Sequence, residues 1–306
     1  MVLPNGNGHG APFTIDEALG FTIPRRHARG RIVRLGPVLD AILANHNYPP
    51  LIERILAEAL LLTALLGTTL KDAAGQLTLQ AQTEGGVIDL LVCDYRNGEL
   101  RGYLRHDPDR LAEAPVDPSL FALFGKGYLA ITFDQALTGE RYQGIVPLEG
   151  GSLAEAVENY FRQSEQIPNI IRVAVLPARD KGHVAAGLLV QHLPEGEEGR
   201  DRIHTRMDHP EWEHVHTLAG SIKREELLDP GLTLETLLWR LFNEEEVRTM
   251  PATGFTRGCR CNIEHIRSVI GQFSAGEQRE MVSDDGLIRV DCAYCAQSFG
   301  VDPQTI

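Results

Sequence analysis

Four of the five cysteines lie in the last fifth of the chain and form two close pairs, Cys259 with Cys261 and Cys292 with Cys295. Thirty residues separate the pairs, which gives the pattern C-x-C … C-x-x-C. Two such pairs on two loops supply the four soft ligands that Zn2+ prefers in a tetrahedral site. The sequence therefore predicts one zinc site at these cysteines. A rubredoxin-like or cluster-type iron site and simple disulfide pairing are the alternatives.

A site closed by four sulfurs leaves no open coordination position, so catalysis at the metal is not favoured. The sequence contains no G-x-S-x-G or HExxH motif, and Gly125-Lys126-Gly127 lacks the spacing of a nucleotide-binding P-loop. The chain is therefore predicted not to be an enzyme. Zinc holds cysteines as thiolates, the form that oxidants attack, so two roles stay open: a structural zinc, and a redox sensor that loses its metal on oxidation.

Ahead of these cysteines, residues 20–193 predict an α+β domain, because runs of adjacent strands are interrupted by helices. Pro49 and Pro50 are expected to open a helix whose apolar positions follow helical spacing. Asn97-Gly98 predicts a hairpin between two strands.

Residues 194–254 form the most charged part of the chain, with 14 acidic and six basic residues between Glu195 and Glu246. Thr233 is a plausible N-cap for a helix with one apolar stripe, formed by Leu234, Leu237, Leu238, Leu241 and Phe242. This stripe is enough to dock on a neighbour but too little for an independent fold. The prediction is a metastable helical linker. An ordinary surface helical hairpin is the alternative.

Residues 255–306 are expected to form a small zinc-binding domain. A module of this size rarely folds without a covalent or metal cross-link. Structural zinc sites contribute roughly 10–16 kcal/mol in zinc-finger peptides, so the metal would dominate the stability of this domain. Arg257 or Arg260 could offset the negative charge of four thiolates.

Two further candidates are weaker. Cys93 falls inside a predicted strand, where a buried and inert thiol is expected. His209, His214 and His216 could hold a metal, although a solvated linker is the simpler interpretation.

The formal net charge of −13 disfavours binding to nucleic acid or to anionic membrane surfaces. The longest apolar run, residues 55–70, is too short to span a bilayer and contains Glu58. Residues 1–19 are expected to be a disordered tail without an export signal. The prediction is a cytoplasmic protein with no nucleic-acid or membrane partner.

Several blocks of the sequence follow one another in a distinctive order: QTEG at 82–85, GYL at 127–129, RYQG at 141–144, LEG at 148–150, YFRQSEQ at 160–166 and LWRLFNEEEV at 238–247. Together with the cysteine pattern, these blocks resemble the heat shock protein 33 family of redox-regulated bacterial chaperones. The resemblance covers about residues 20–300.

The resemblance implies a chaperone domain, a metastable linker and a zinc-binding redox switch. In the family, oxidation pairs neighbouring cysteines, which here would give Cys259–Cys261 and Cys292–Cys295. Zinc then leaves, the switch and linker unfold, and the protein dimerises and holds unfolded client proteins without ATP. Because a C-x-C disulfide closes a very small ring, we expect Cys292–Cys295 to be the more persistent bond.

Two other functions remain open on the residues alone. The first is a constitutive adaptor or ribosome-associated factor whose zinc is purely structural. The second is a disulfide oxidoreductase acting through Cys292 and Cys295, although the expected βαβ context of such a motif is missing.

Overall fold

The computed structural model describes residues 15–70, 74–179, 182–193 and 209–306. The strands are β1 (Glu17–Ile23), β2 (Ala28–Leu35), β3 (Gln76–Glu84), β4 (Ile88–Arg96), β5 (Glu99–His106), β6 (Lys126–Asp134), β7 (Arg141–Pro147), β8 (Asn169–Arg179), β9 (Gly182–His192), β10 (Arg248–Thr249), β11 (Thr253–Gly254), β12 (Thr256–Arg257), β13 (Ile288–Asp291) and β14 (Ser298–Val301). The helices are α1 (Pro37–Leu43), α2 (Pro50–Gly67), α3 (Pro108–Glu113), α4 (Leu120–Phe124), α5 (Leu153–Tyr160), α6 (Pro210–Gly220), α7 (Arg224–Leu228), α8 (Leu234–Phe242), α9 (Ile263–Ile270) and α10 (Ala275–Glu280).

Helix α2 is the centre of the N-terminal domain. Pro50 occupies its first turn, where the missing amide hydrogen is no loss, and the predicted helix start is confirmed. Residues on every side of the helix are buried, since it packs between two sheets. The apolar run that is too short for a membrane span is therefore a core helix.

The two sheets are formed mainly by antiparallel strands. Sheet A has the order β10-β1-β2-β9-β8, with β11 also paired to β1, and sheet B has the order β12-β5-β4-β3-β6-β7. The predicted hairpin between β4 and β5 is confirmed, and both turn residues have positive φ angles, 49° at Asn97 and 82° at Gly98. The predicted α+β fold is thus confirmed.

The outer face of sheet A is covered by α6, α7 and α8. Thr233 caps α8 through its side chain, as predicted. All five stripe residues predicted for this helix are buried in one apolar cluster with sheet A. The cluster also contains residues of the sheet itself, among them Phe21, Ile32 and Leu188. The linker stripe therefore docks on the N-terminal domain, as its apolar spacing suggested.

The predicted domain limits need one correction. Strand β1 begins at Glu17, so the expected tail of residues 1–19 is too long by three residues. Residues 17–19 pair with β2, and Ala18 and Leu19 are buried. Three residues at the start of a strand are too few to show a strand pattern in the sequence. The remaining residues 1–14 of that prediction, and 194–208 of the linker, lie outside the described residues.

The start of the C-terminal module is attached to the N-terminal domain. Phe255 is buried against Tyr95, with ring centroids 6.2 Å apart, and β12 pairs in parallel with β5. The module's own apolar core comprises Ile266, Ile270, Ile288 and Val301. The contacts thus place residues 255–257 with sheet B, and the small core begins only at α9.

Candidate metal centre

The four predicted ligands come from two loops of the C-terminal module. Cys259 and Cys261 lie between β12 and α9. They follow closely after Arg257 of β12, which pairs with Leu100 of β5 in sheet B. Cys292 and Cys295 lie in the turn that joins β13 to β14. Backbone bonds fix this turn: the Cys292 amide donates to Gln297 at 2.9 Å, and the Ala296 amide donates to Cys292 at 2.8 Å.

The structure brings all four sulfur atoms together, each within 4.8 Å of the others. The Cys259–Cys261, Cys261–Cys295 and Cys259–Cys292 sulfurs are 3.2, 3.4 and 3.6 Å apart. A tetrahedral site with Zn–S bonds of about 2.3 Å places sulfurs about 3.8 Å apart. The observed separations and the all-sulfur donor set therefore fit zinc.

The cysteines differ in their tendency to ionise. Burial opposes ionisation of Cys259, but hydrogen bonds from the Cys261 amide and from the neighbouring thiols outweigh it and lower the pKa of Cys259 to about 7. Burial and the hydrogen bonds with Cys259 raise the pKa of Cys261, and burial raises that of Cys295. The surroundings thus favour ionisation of Cys259 and oppose that of Cys261 and Cys295.

The small core of the module explains why the cysteines matter for its folding. Four buried aliphatic side chains support α9, β13 and β14, and all five hydrophobic residues packed around them are only partly buried. Helix α10 contributes no buried residue. A core of this size supplies little net stability, so a cross-link between the two cysteine loops would contribute a large share.

The two arginines predicted to offset the charge of the cysteines make hydrogen bonds to the N-terminal domain. Arg260 donates to the Gln76 side chain, and Arg257 donates to the Ala41 carbonyl oxygen at 3.3 Å. Arg101, which sequence reasoning missed, interacts electrostatically with Cys259. Burial, then the proximity of Arg101 and Arg96, lowers the pKa of Arg260. Sheet B thus contributes positive charge to the surroundings of the sulfurs.

A second feature missed by sequence reasoning is Tyr294, which lies between the two cysteines of the second pair. Its ring contacts Arg101 and Tyr103, and its hydroxyl donates to Asp94 of sheet B. These partners are about 200 residues distant in sequence, and no local pattern signals the contact.

The weaker candidates do not join this centre. Cys93 is fully buried, and burial raises the pKa of its thiol well above the ordinary value, as expected for an inert residue. His214 lies 2.9 Å from Glu245, while His216 packs edge-on against Trp212. Within the described ranges, the cysteine tetrad is the one group with metal-ligating geometry.

No helix in the described part of the chain has both the length and the apolar character to cross a bilayer.

Comparison with known proteins identifies the family. The sequence profile of the family described as Hsp33 protein matches residues 16–302. The chain belongs to the Hsp33 family. A 33 kDa chaperonin of Caulobacter vibrioides strain NA1000 / CB15N is 40% identical over 295 residues, covering 94% of this chain and 95% of that protein. A 33 kDa chaperonin of Pseudoalteromonas atlantica is 34% identical over 289 residues, covering 94% and 93%.

The fold agrees with that of a solved Hsp33 homologue. The crystal structure of the 33 kDa chaperonin (heat shock protein 33 homologue) of Thermotoga maritima superimposes with a TM-score of 0.76 at 23% identity, over 94% of this chain and 96% of that one. Membership of the Hsp33 family supports a chaperone rather than an enzyme.

Proposed function

We propose that this Hsp33 family member is a redox-regulated, ATP-independent holdase that binds unfolding proteins and prevents their aggregation. The observation that carries the proposal is the pairing of two features in one chain. A cysteine tetrad with zinc geometry lies in a module whose own apolar core is small. The preceding linker helices cover a broad apolar face of sheet A.

In the reduced state, Cys259, Cys261, Cys292 and Cys295 would hold one zinc ion. When bound, zinc would supply a cross-link between the two loops and keep the sulfurs as thiolates. Other contacts of the chain position the two cysteine pairs. Turn hydrogen bonds hold Cys292, and β12 anchors the first pair to sheet B. This form is the inactive one.

Activation is proposed to proceed through disulfides Cys259–Cys261 and Cys292–Cys295. Each disulfide forms as two thiolates give two electrons to hydrogen peroxide, which takes up two protons from solvent and is reduced to two waters. This pairing is taken from the family resemblance. The sulfur distances alone do not select it, because the sulfur of Cys261 lies 3.2 Å from that of Cys259 and 3.4 Å from that of Cys295. A paired sulfur is no longer a thiolate ligand, so the four cysteines would no longer hold zinc and the module would lose its cross-link.

The apolar surface for clients is proposed to lie under the linker. The outer face of sheet A would become accessible if α6, α7 and α8 detached, and it is formed by Leu19, Phe21, Ile23, Ile32, Ile170, Ala174, Ala186, Leu188 and Val190. The detached α8 stripe would add further apolar surface. Contiguous exposed apolar area of this kind is what an unfolding protein can bind.

The remaining parts of the proposal concern partners and place. We infer that the oxidised protein is a homodimer, because detached linkers expose apolar surface on every copy. The net charge of −13 argues against nucleic acid and anionic membranes as partners. A reducing cytoplasm would keep the tetrad in its zinc-binding form until oxidative stress.

The deciding experiment follows the aggregation of a heat-unfolding client by light scattering. Reduced, zinc-loaded protein should leave aggregation unchanged, and oxidised, zinc-free protein should suppress it at near-stoichiometric ratios. Equal activity of the two forms would instead favour a constitutive adaptor with a structural zinc. Catalytic turnover of thiols would favour an oxidoreductase.

A further inference from the structure

The C-terminal module is seated on the outer face of sheet B, on the side opposite helix α2. Cross-strand neighbours Asp94 of β4 and Arg101 of β5 form the centre of this seat. Arg101 donates to Asp94 from Nε and pairs through Nη2, both at 2.7 Å. Thr78 of β3 donates to the other carboxylate oxygen at 2.7 Å. Asp94 is only 2% exposed, so this polar group is held rigidly below the module.

Tyr294 is the side chain through which the second cysteine pair enters this seat. Its hydroxyl donates to Asp94 Oδ2 at 3.1 Å. The Arg101 guanidinium carbon lies 4.0 Å from the centre of its ring, which is cation–π geometry. The ring of Tyr103 meets it edge-on, with centroids 4.9 Å apart. One residue thus makes three contacts of different kinds with the N-terminal domain.

The backbone of the same residue is also held. His46 Nε2 donates to the Tyr294 carbonyl oxygen at 3.3 Å, and the His46 ring stacks on Tyr48 at 4.8 Å. Tyr48 is fixed in turn, because its hydroxyl donates to the Leu104 carbonyl at 2.7 Å and accepts from the Leu104 amide at 3.1 Å. The seat therefore holds both the backbone and the side chain of the turn between Cys292 and Cys295.

We propose that Tyr294 is a positioning residue that couples the metal centre to sheet B, so that docking strengthens metal binding and metal loss weakens docking. The inference rests on the proposed zinc site of the reduced protein and adds the residue through which that site communicates. A Cys292–Cys295 disulfide would remodel the turn that carries Tyr294. The ring would then leave the seat, and the redox state of the cysteines would reach the N-terminal domain.

Coupling between two sites is reciprocal, which makes the proposal testable from the far side of the interface. Tyr103 belongs to sheet B and is no metal ligand. If docking positions the ligands, Tyr103→Ala should weaken zinc binding although the tetrad is intact. If Tyr294 had only a local structural role, Tyr103→Ala would leave the zinc affinity unchanged.

The experiment measures zinc affinity of the reduced full-length chain by competition with a chromogenic chelator. We expect Tyr294→Ala to weaken binding about tenfold and Tyr103→Ala about fivefold. Tyr294→Phe should weaken it less than Tyr294→Ala, because the ring contacts remain. In the Tyr103→Ala, Tyr294→Ala double variant the two losses of zinc affinity should not multiply, because both substitutions remove the same contact between the rings of Tyr103 and Tyr294. Tyr128→Ala, an exposed tyrosine of β6, is the matched control and should bind like the wild type.

An affinity of Tyr103→Ala equal to that of the wild type would overturn the coupling, and so would fully multiplicative losses in the double variant. The Tyr103 arm keeps the test decisive even if Tyr294→Ala disturbs folding of the module. A wild-type chain that binds no zinc would overturn the metal site of the proposed function itself, which is a separate and recognisable result.

Discussion

Arg34 Nη2 donates a 2.7 Å hydrogen bond to the carbonyl oxygen of Leu227, although Arg34 lies in β2 and Leu227 lies 193 residues later in α7. Nη1 of the same guanidinium donates to Leu232 at 2.7 Å. The side chain is fully buried, and burial lowers its pKa. Linker carbonyls therefore solvate a charge that belongs to the N-terminal domain. Because the charge regains water when the linker detaches, this contact holds the linker without making detachment prohibitive.

Replacing Arg34 by lysine should weaken linker docking. Lysine keeps the charge but lacks the planar fork that reaches both carbonyl oxygens, so we expect a loss of about 1–3 kcal/mol. Hydrogen–deuterium exchange of α7 in the reduced protein measures the effect. Arg31→Lys is the control, since Arg31 lies in the same strand and donates to Thr68 within the N-terminal domain. Identical α7 exchange in Arg34→Lys and wild type would refute the prediction.

Shortening the buried stripe of α8 should activate the reduced protein in part. Leu238 is fully buried against sheet A, so Leu238→Ala should cost the docked linker about 2–4 kcal/mol. The reduced variant is then expected to suppress client aggregation without oxidant. The adjacent Trp239 is 52% exposed, and Trp239→Ala should stay inactive when reduced. Linker release in Leu238→Ala without any client binding would show that clients bind elsewhere.

Acid should weaken one end of the linker through Glu245. Hydrogen bonds from Arg26, and secondarily from His214, hold the pKa of Glu245 below its ordinary value of 4.5. The interactions that lower this pKa stabilise the folded state fully above pH 4.5. Their stabilisation is lost as the pH falls toward the pKa of Glu245 in the folded state. The contribution of this group to docking should thus be complete and independent of pH between about pH 5.5 and 7, and should weaken below about pH 4.5.

The fluorescence of Trp212 reports this transition, because Trp212 is buried in α6 beside the same interface. A Trp239→Phe background leaves Trp212 as the one tryptophan of the chain. Arg26→Met should remove most of the acid dependence that Glu245 contributes, whereas the exposed Arg25→Met should retain it. Superimposable pH profiles for the two variants would argue against the role of Arg26.

Removing one tetrad ligand should abolish zinc binding, whereas removing the fifth cysteine should not. Cys259→Ser is expected to lower the metal content of the reduced chain from one zinc ion to nearly none, because three sulfurs leave the site incomplete. Cys93→Ala should retain full metal content with a stability loss of about 1 kcal/mol, since Cys93 is buried in the core of the N-terminal domain and is not one of the four clustered cysteines. Elemental analysis after gel filtration decides this. Full zinc content in Cys259→Ser would mean that the ligands are others.

Features with a local signal could be predicted from the sequence. The cysteine spacing indicated the tetrad, and helical spacing identified the buried stripe of α8. The hairpin at Asn97-Gly98 follows from the φ angles those residues tolerate. Tyr294 and Arg34 could not be recognised in this way. Their partners are some 200 residues away, so the contacts exist only once both sheets and the linker have folded.

Charge compensation at the cysteines shows the same limit. Proximity in sequence suggested Arg257 and Arg260, yet both guanidiniums bond to the N-terminal domain. Arg101 of sheet B also interacts electrostatically with Cys259. Sequence neighbours are thus an incomplete guide to electrostatics at a site assembled from two domains.

The central claim is that the redox state of the tetrad controls whether the linker covers sheet A. Hydrogen–deuterium exchange over residues 210–242, compared between the reduced zinc-loaded and the oxidised zinc-free chain, tests it most directly. The account predicts that α6, α7 and α8 lose protection on oxidation while α2 keeps it. Unchanged protection of α6, α7 and α8 in the oxidised chain would contradict the account.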